Sequence, residues 1–299
     1  MAVLAQTWID ATRRNLLGTF TELRNKVSTL YNPGDGIIVL SQTMTGIAPG
    51  TILSAGLNVF YVWAVNGQTV TVDGGQNGSN DVPVLANTIV RVNPKFTDWD
   101  IWQELANDLQ SLSGEGIVAY NTSDLTYSPV YTAYDLGTTA ASNLLDIYEV
   151  KFLTPGPEKD MPRLPRTAWR LTRNAATADI PSGMSIQILA PSPQNVSGYL
   201  VRVVWKSILT APVSLTTDLA TTGLQSSAFD LPPIGAAINL MSGREIPRNF
   251  TQDQGDTRRA TEVPPGAVMQ SVGGLVKRRA NRIATELSRL ATMYATTGD

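Results

Sequence analysis

The chain has neither cysteine nor histidine among its 299 residues. The first absence excludes disulfides, thiolate nucleophiles and Cys-based zinc sites. The second excludes imidazole bases, the Ser-His and Cys-His nucleophile pairs and the commonest transition-metal ligand. Any catalysis would fall to carboxylates, Lys or Tyr. Long apolar runs are lacking too: the longest, VFYVWAV at 59–65, is far short of the roughly 20 residues a bilayer span needs, so no membrane is expected. Nor is there a basic surplus. A net charge of -2 and a pI near 5.3 do not suit a protein whose main work is coating nucleic acid, which gains affinity by releasing counterions. Arg13-Arg14 is followed by the polar TFTELRNKVST rather than an apolar signal core, so it is not read as an export signal.

What the chain does have is 42% apolar residues and a length near the upper limit for one core, which sets an expectation of two or three subdomains. Thr19-Phe20-Thr21-Glu22 has the form of a capping box. Leu23, Val27 and Leu30 follow at helical spacing and Asn32-Pro33-Gly34 stops the pattern, so residues 1–33 are expected to hold the N-terminal helical part. Over 34–96 the period changes to two. IIVL, FYVWAV, TVTV and TIVRV are β-branched or aromatic runs, with Asn66-Gly67 as a hairpin signal, and they predict a small antiparallel barrel or sheet.

Residues 97–114 open with Thr97, Asp98 and Asp100 at a helix start. They carry Ile101, Trp102, Leu105, Leu109 and Leu112 as one apolar stripe, and Gly114 ends them. Residues 115–229 return to short strand-like runs (IYEVKFL, AWRLTR, SIQILA, YLVRVVWKSIL and PVSLTT) broken by Pro-rich turns, which predicts a β-sandwich. Residues 230–299 resume as helices. Gly243 is placed as the stop of the first, and Val276, Ala280, Ile283, Leu287, Leu290 and Tyr294 form a heptad-like stripe on the last. The expected class is α+β: a discontinuous helical bundle, pooled from short one-sided helices, that carries two antiparallel β insertions.

No motif carries chemistry by itself. Asp98 with Asp100, and Asp146 with Glu149, are local carboxylate pairs, whereas acid/base work needs carboxyls set across a pocket. Gly34-Asp35-Gly36 and Gly74-Gly75 lack any phosphate-loop context and are taken as turns. Gly273-Gly274, inside the last helical pattern, marks either a break or a close approach to another backbone. Arg163, Arg166, Arg170 and Arg173 cluster around Pro162 and Pro165 and are read as a strand with its approach loop, with an interface role second. No catalytic, cofactor or metal residues are assigned.

The stretch SGREIPRNFTQDQGDTRRATEVPPGA, residues 242–267, has eight charges that cancel, three prolines and few apolar anchors. A connection this long is uncommon unless functional or disordered. It is expected to lie against a neighbouring identical subunit, with Arg244, Glu245, Arg248, Asp253, Asp256, Arg258 and Arg259 fixing register and Ile246 and Phe250 as anchors.

The order of elements, the ending GREIPRNFTQDQGDTRRATEVPPGAVMQSVGGLVKRRANRIATELSRLATMYA, and TFTELRNKVSTLY followed by a β domain and FTDWDIWQELANDLQSL resemble the head-to-tail adaptor (connector or neck) proteins of tailed bacteriophages. The resemblance implies a structural virion protein and not an enzyme. It implies a homo-oligomeric ring, commonly a dodecamer, that joins the portal protein to a tail or tail-terminator protein, with viral DNA passing through without sequence-specific binding. Such a protein is assembled in the host cytoplasm and resides in the virion neck. It further implies that the final helix, with Val276, Arg279, Ile283, Leu287, Leu290 and Tyr294, shares the subunit and portal contacts with the charged stretch. Two other readings stay open. One is a different neck or tail component. The other is a glycan-binding module using Trp63, Trp169 or Trp205.

Overall fold

A computed structural model describes residues 2–17, 22–128, 130–131, 133–153, 163–189, 200–252 and 267–294, with backbone alone at 17, 139, 141, 243–252 and 267–269. The helices are α1 (Gln6–Leu17), α2 (Asp98–Gly114), α3 (Thr138–Asn143), α4 (Leu231–Gln252) and α5 (Ala267–Met293). The strands are β1 (Arg24–Lys26), β2 (Ile37–Val39), β3 (Ile52–Ala55), β4 (Asn58–Asn66), β5 (Thr69–Asp73), β6 (Ile89–Val92), β7 (Ala119–Thr126), β8 (Ala133–Asp135), β9 (Leu144–Leu153), β10 (Trp169–Arg173), β11 (Met184–Ile188) and β12 (Leu200–Ser207). The class is α+β with antiparallel sheets. Two compact units divide the chain: Met1–Ser111 with Ala211–Thr221 and Ser226–Glu286, and Leu112–Thr210 with Thr222–Gln225 and Leu287–Asp299.

In the first unit six strands run in the order β1-β6-β3-β4-β5-β2, all antiparallel. The sheet curls until its edges meet at one bridge, Val27 to Leu40, flanked by Ser28 N–H to Val39 O at 2.7 Å and Ser41 N–H to Lys26 O at 2.8 Å. Inside lie Val27, Tyr31, Ile38, Leu53, Phe60, Val62, Val70, Val72 and Val90. Burying a side chain such as Phe60 contributes about 1.5 to 3 kcal/mol. The β4–β5 hairpin turns on Gly67-Gln68, with Gly67 at φ 61°, a conformation that costs glycine nothing. Asn66-Gly67 therefore does mark this hairpin, although the loop sits one residue later.

Residues 22–31 are not a helix, and this corrects the helix expected there; Thr19, Phe20 and Thr21 of the capping box lie outside the described residues. Val27 and Tyr31 are buried four residues apart as a helix would have them, yet they face the barrel interior from an extended chain. The two periods coincide at that spacing. Leu23 and Leu30, which a helix would share with them, are more than half exposed. The helix lies earlier, at α1, where Trp8, Ile9 and Thr12, with Ala5 just ahead of the first turn, make the buried stripe. Trp8 Nε1 donates to Phe229 O at 2.7 Å, and α1 packs along α4.

Asp81 ties the barrel's loops together. It accepts from the Tyr31 hydroxyl at 3.1 Å, Asn58 Nδ2 at 2.7 Å and Gly34 N at 3.0 Å. Burial, then the bond to Asp81 and its charge, push the Tyr31 hydroxyl up to about 12. The folded value lies above the unfolded one. The stabilisation is therefore complete below about pH 10 and is lost as pH rises from there to about 12, a difference on the order of 2 kcal/mol. Urea midpoints across this window should fall less steeply for Tyr31→Phe than for the unaltered chain.

In the second unit two three-stranded sheets, β7-β12-β9 and β10-β11-β8, share one core. Val201, Val203 and Trp205 of β12, Ile147, Val150 and Phe152 of β9, and Trp169, Met184 and Ile186 of the other sheet fill it. β12 alternates buried and half-buried residues along its length, as a strand with one covered face must. The run PVSLTT is a turn, not a strand.

α2 begins with a reciprocal cap: Thr97 Oγ1 accepts from Asp100 N at 3.0 Å, and Asp100 Oδ2 accepts from Thr97 N at 3.0 Å. Gly243 does not stop α4, which runs on to Gln252. The first part of the charged stretch is thus helical rather than a loop. Gly273 and Gly274 do not break α5, which corrects that reading, and among the described residues a Cβ at either would meet nothing within 4 Å. Within those residues the glycines are a helix-propensity cost without a packing reason. Gly273→Ala and Gly274→Ala should each stabilise by about 0.5 to 1 kcal/mol, seen as a raised thermal midpoint.

Candidate functional site

α5 was expected to offer one apolar stripe to another subunit. Its buried line in the first unit instead passes through Arg279, Arg282, Ile283 and Glu286, and each is engaged within the chain. Arg279 Nη2 donates to Asp108 Oδ1 of α2 at 2.9 Å. Arg282 forms two bonds to Asp230, at 2.8 and 2.9 Å, and a third to Ser227 O at 2.7 Å. Its bonds hold the Asp230 carboxyl below the ordinary value against burial, while Asp230 raises the guanidinium. Glu286 accepts from the Ser227 hydroxyl on both oxygens, at 3.1 Å.

In the second unit Leu290 is buried, Leu287 lies beside Gly116 and Tyr294 stacks on Tyr120 with centroids 3.6 Å apart and planes at 5°. Tyr148 meets both rings edge-on at 5.6 Å, and Arg163 lies 4.9 Å over Tyr148. Aromatic pairs of this kind contribute about 0.5 to 1.5 kcal/mol beyond their burial. Arg279, Ile283, Leu290 and Tyr294 are thus occupied in the chain's own fold, and Leu287 is half-buried there.

Val276 remains exposed at 47%, together with Lys277, Arg278, Ala280 and Asn281. Arg244, Glu245, Arg248 and Phe250 fall on the helical backbone of α4, with side chains outside the described residues. Asp253, Asp256, Arg258 and Arg259 lie outside the described residues altogether.

A feature that sequence reasoning missed is a buried set of four charges, Arg13, Glu22, Arg91 and Asp98. Arg13 reaches Asp98 Oδ1 through Nε at 2.8 Å, Glu22 Oε1 through Nη1 at 2.9 Å and Phe96 O through Nη2 at 2.9 Å. Arg91 Nη1 donates to Asp98 Oδ2 at 2.6 Å and its Nε lies 3.4 Å from Glu22 Oε2. The charges cancel. Burial lowers the Arg91 guanidinium from its ordinary value against the pull of Asp98. The set joins α1, the chain ahead of β1, β6 and the start of α2, so its role is structural. Its members lie up to 85 residues apart in sequence, and no local spacing advertises them.

The remaining charged candidates are also accounted for. Glu149 pairs with Lys151 and Arg163 at 3.6 and 3.1 Å, and Arg166 stacks 3.9 Å over Trp169. The Arg cluster does form a strand and its approach, as β10 and the short turn before it. Trp169 and Trp205 are core. Trp63 is 60% exposed at a bulge in β4, beside Tyr61 at 4.8 Å. Among the described residues no group of three or more acids is placed to hold a metal ion, and no helix is long and apolar enough to cross a membrane. Compared with known proteins, the chain matches no protein-family model and no curated protein.

Proposed function

We propose that the chain is a structural virion protein: a ring-forming head-to-tail adaptor in which α1, α2, α4 and α5 act as a discontinuous helical core and the two β parts are carried on it. The observation that supports this most is the free surface of α5 ahead of Ile283. Val276, Lys277, Arg278, Ala280 and Asn281 are all exposed, on a helix that continues the stretch whose sequence resembles the adaptors. A helix with so little covered surface gains stability when a neighbour covers the rest. In a repeated head-to-tail contact that neighbour is a second subunit, and the contact closes into a ring when the rotation permits. The portal, the tail and the DNA within the channel are the further partners of this reading, with the neck of the particle as its place.

Light scattering on the purified chain, with particle imaging, tests it. The expected result is a ring, or a species that tracks with virions at the portal's copy number. Val276→Asp should leave the thermal midpoint unchanged and weaken assembly by about ten-fold or more, the effect of burying an unpaired charge in a contact. A persistent monomer absent from particles would sink the reading. It would favour the second one, glycan binding at Trp63 beside Tyr61, which a glycan array without hits removes.

A further inference from the structure

We propose that β7 is an association edge, covered in solution by β7 of a second copy of this chain and paired antiparallel about a two-fold axis at Thr122. β7 is bonded to β12 along all eight residues, Ala119–Thr126, without a register shift. On its other side no backbone hydrogen bond is made among the described residues. Every second residue there presents an N–H and a C=O outward, and such groups take an extended backbone as their partner.

The other sheet edges among the described residues are managed. β1 and β2 meet at Val27–Leu40. β9 is bulged twice against β12, and Leu164 N donates to Val150 O on its far side. β8 has three residues, and β10 has five with Arg170 and Arg173 among them. β7, about 27 Å long at roughly 3.4 Å per residue, has no proline, lysine or bulge, the usual devices that discourage pairing. Its one charge, Asp124, is already held by Arg202 at 2.8 and 2.9 Å.

Register points to a copy of the same strand. A two-fold axis through the sheet keeps inward residues opposite inward ones, so it must pass through a residue. Centred on Thr122 it sets Thr122 against Thr122, Asn121 against Ser123, Tyr120 against Asp124 and Ala119 against Leu125. No like charges meet, and Thr–Thr, Asn–Ser and Tyr–Asp pairs are each favourable across strands. The pairing does not rest on the adaptor reading.

The absence of cysteine makes the test clean, since one introduced thiol reports alone. Thr122 and Asp124 are both solvent-exposed, so Thr122→Cys and Asp124→Cys should fold. Under mild oxidation Thr122→Cys should give a disulfide-linked dimer about ten-fold or more faster than Asp124→Cys, whose twin lies four residues along the strand, roughly 13 Å away. For the unaltered chain, sedimentation should give two-fold pairs, either as a dimer or as a larger assembly with an even number of copies, and alternate β7 amides should gain hydrogen-exchange protection as concentration rises. Equal oxidation rates at the two positions overturn the pairing, as does a monomer whose alternate β7 amides exchange freely at every concentration. So does a chain that stays monomeric while another protein's strand protects those amides. A ring without crosslinking at 122 also overturns it and leaves the adaptor reading standing.

Discussion

Gly235→Ala should destabilise the first unit by about 3 kcal/mol or more, although Ala is the better helix former. Gly235 sits in α4 where a Cβ would overlap the carboxylate of Asp108. That carboxylate is buried and bound to Arg279, so it has no free direction in which to retreat. Relief requires either that α4 moves off α2 or that Asp108 gives up Arg279 and leaves a charge buried without its partner, and either route is expensive. Chemical denaturation would read the loss as a lowered midpoint with an unchanged slope. Gly114→Ala, at a helical position where a Cβ meets nothing, is the comparison and should lie within about 0.5 kcal/mol of the unaltered chain.

Removing Arg13 should cost about 3 to 5 kcal/mol, the range for breaking a buried ion pair from one side. Arg13→Met would leave Glu22 and Asp98 with Arg91 and the half-exposed Arg24, 3.7 Å from Glu22, strip the buried carboxylates of their closest shared cation, and free Phe96 O as well. Arg13→Lys should rescue little. A single ammonium cannot reach Asp98, Glu22 and a carbonyl from the three nitrogens of a planar fork. Adding Glu22→Gln to Arg13→Met should recover part of the loss, because it removes one of the carboxylates stripped of that cation. The coupling between the two sites, measured as a double-mutant cycle, is expected to exceed about 1 kcal/mol. Additive losses would mean that the four residues do not act as a set.

How far these features can be read from the sequence depends on whether their cause is local. α2 is legible because its cap, its stripe and its stop all lie within one run, and each agrees with the others. The strands β4, β5, β9 and β12 are legible because β-branched and aromatic residues alternate in them. β7 is not: AYNTSDLT is polar, and it pairs because β12 offers a regular neighbour more than 70 residues away. The extended chain around Val27 was misread because two buried residues four apart satisfy either period. The choice was made by the barrel's other strands and by Glu22, which turns into the buried charge set instead of capping a helix. The α5 stripe is legible at Ile283, Leu287, Leu290 and Tyr294, where the facing groups are apolar or aromatic. Around Ile283 the facing groups are Asp108, Asp230 and Ser227, so Arg279, Arg282 and Glu286 take the inward positions that an apolar pattern would not assign to them. The large excess of Arg over Lys is the one compositional sign of such contacts, and it does not say where they fall.

The seam of the six-stranded sheet has a mechanical meaning. Every other junction between its strands is a ladder of three or more paired residues, whereas β1 and β2 are held to each other by one bridge, its two flanking backbone bonds and the Asn25 amide on Gln42 O at 2.7 Å. A closed cylinder with one weak stave joint yields at that joint under tension and keeps its remaining order. The chain ahead of β1 carries Glu22, bound to Arg13 of α1, and Leu23, whose carbonyl accepts from Val92 N of β6, so a pull on α1 passes through the β1–β6 ladder and loads the seam as the weakest joint beyond it. The barrel is thereby built to give way as a clasp rather than to come apart as a sheet.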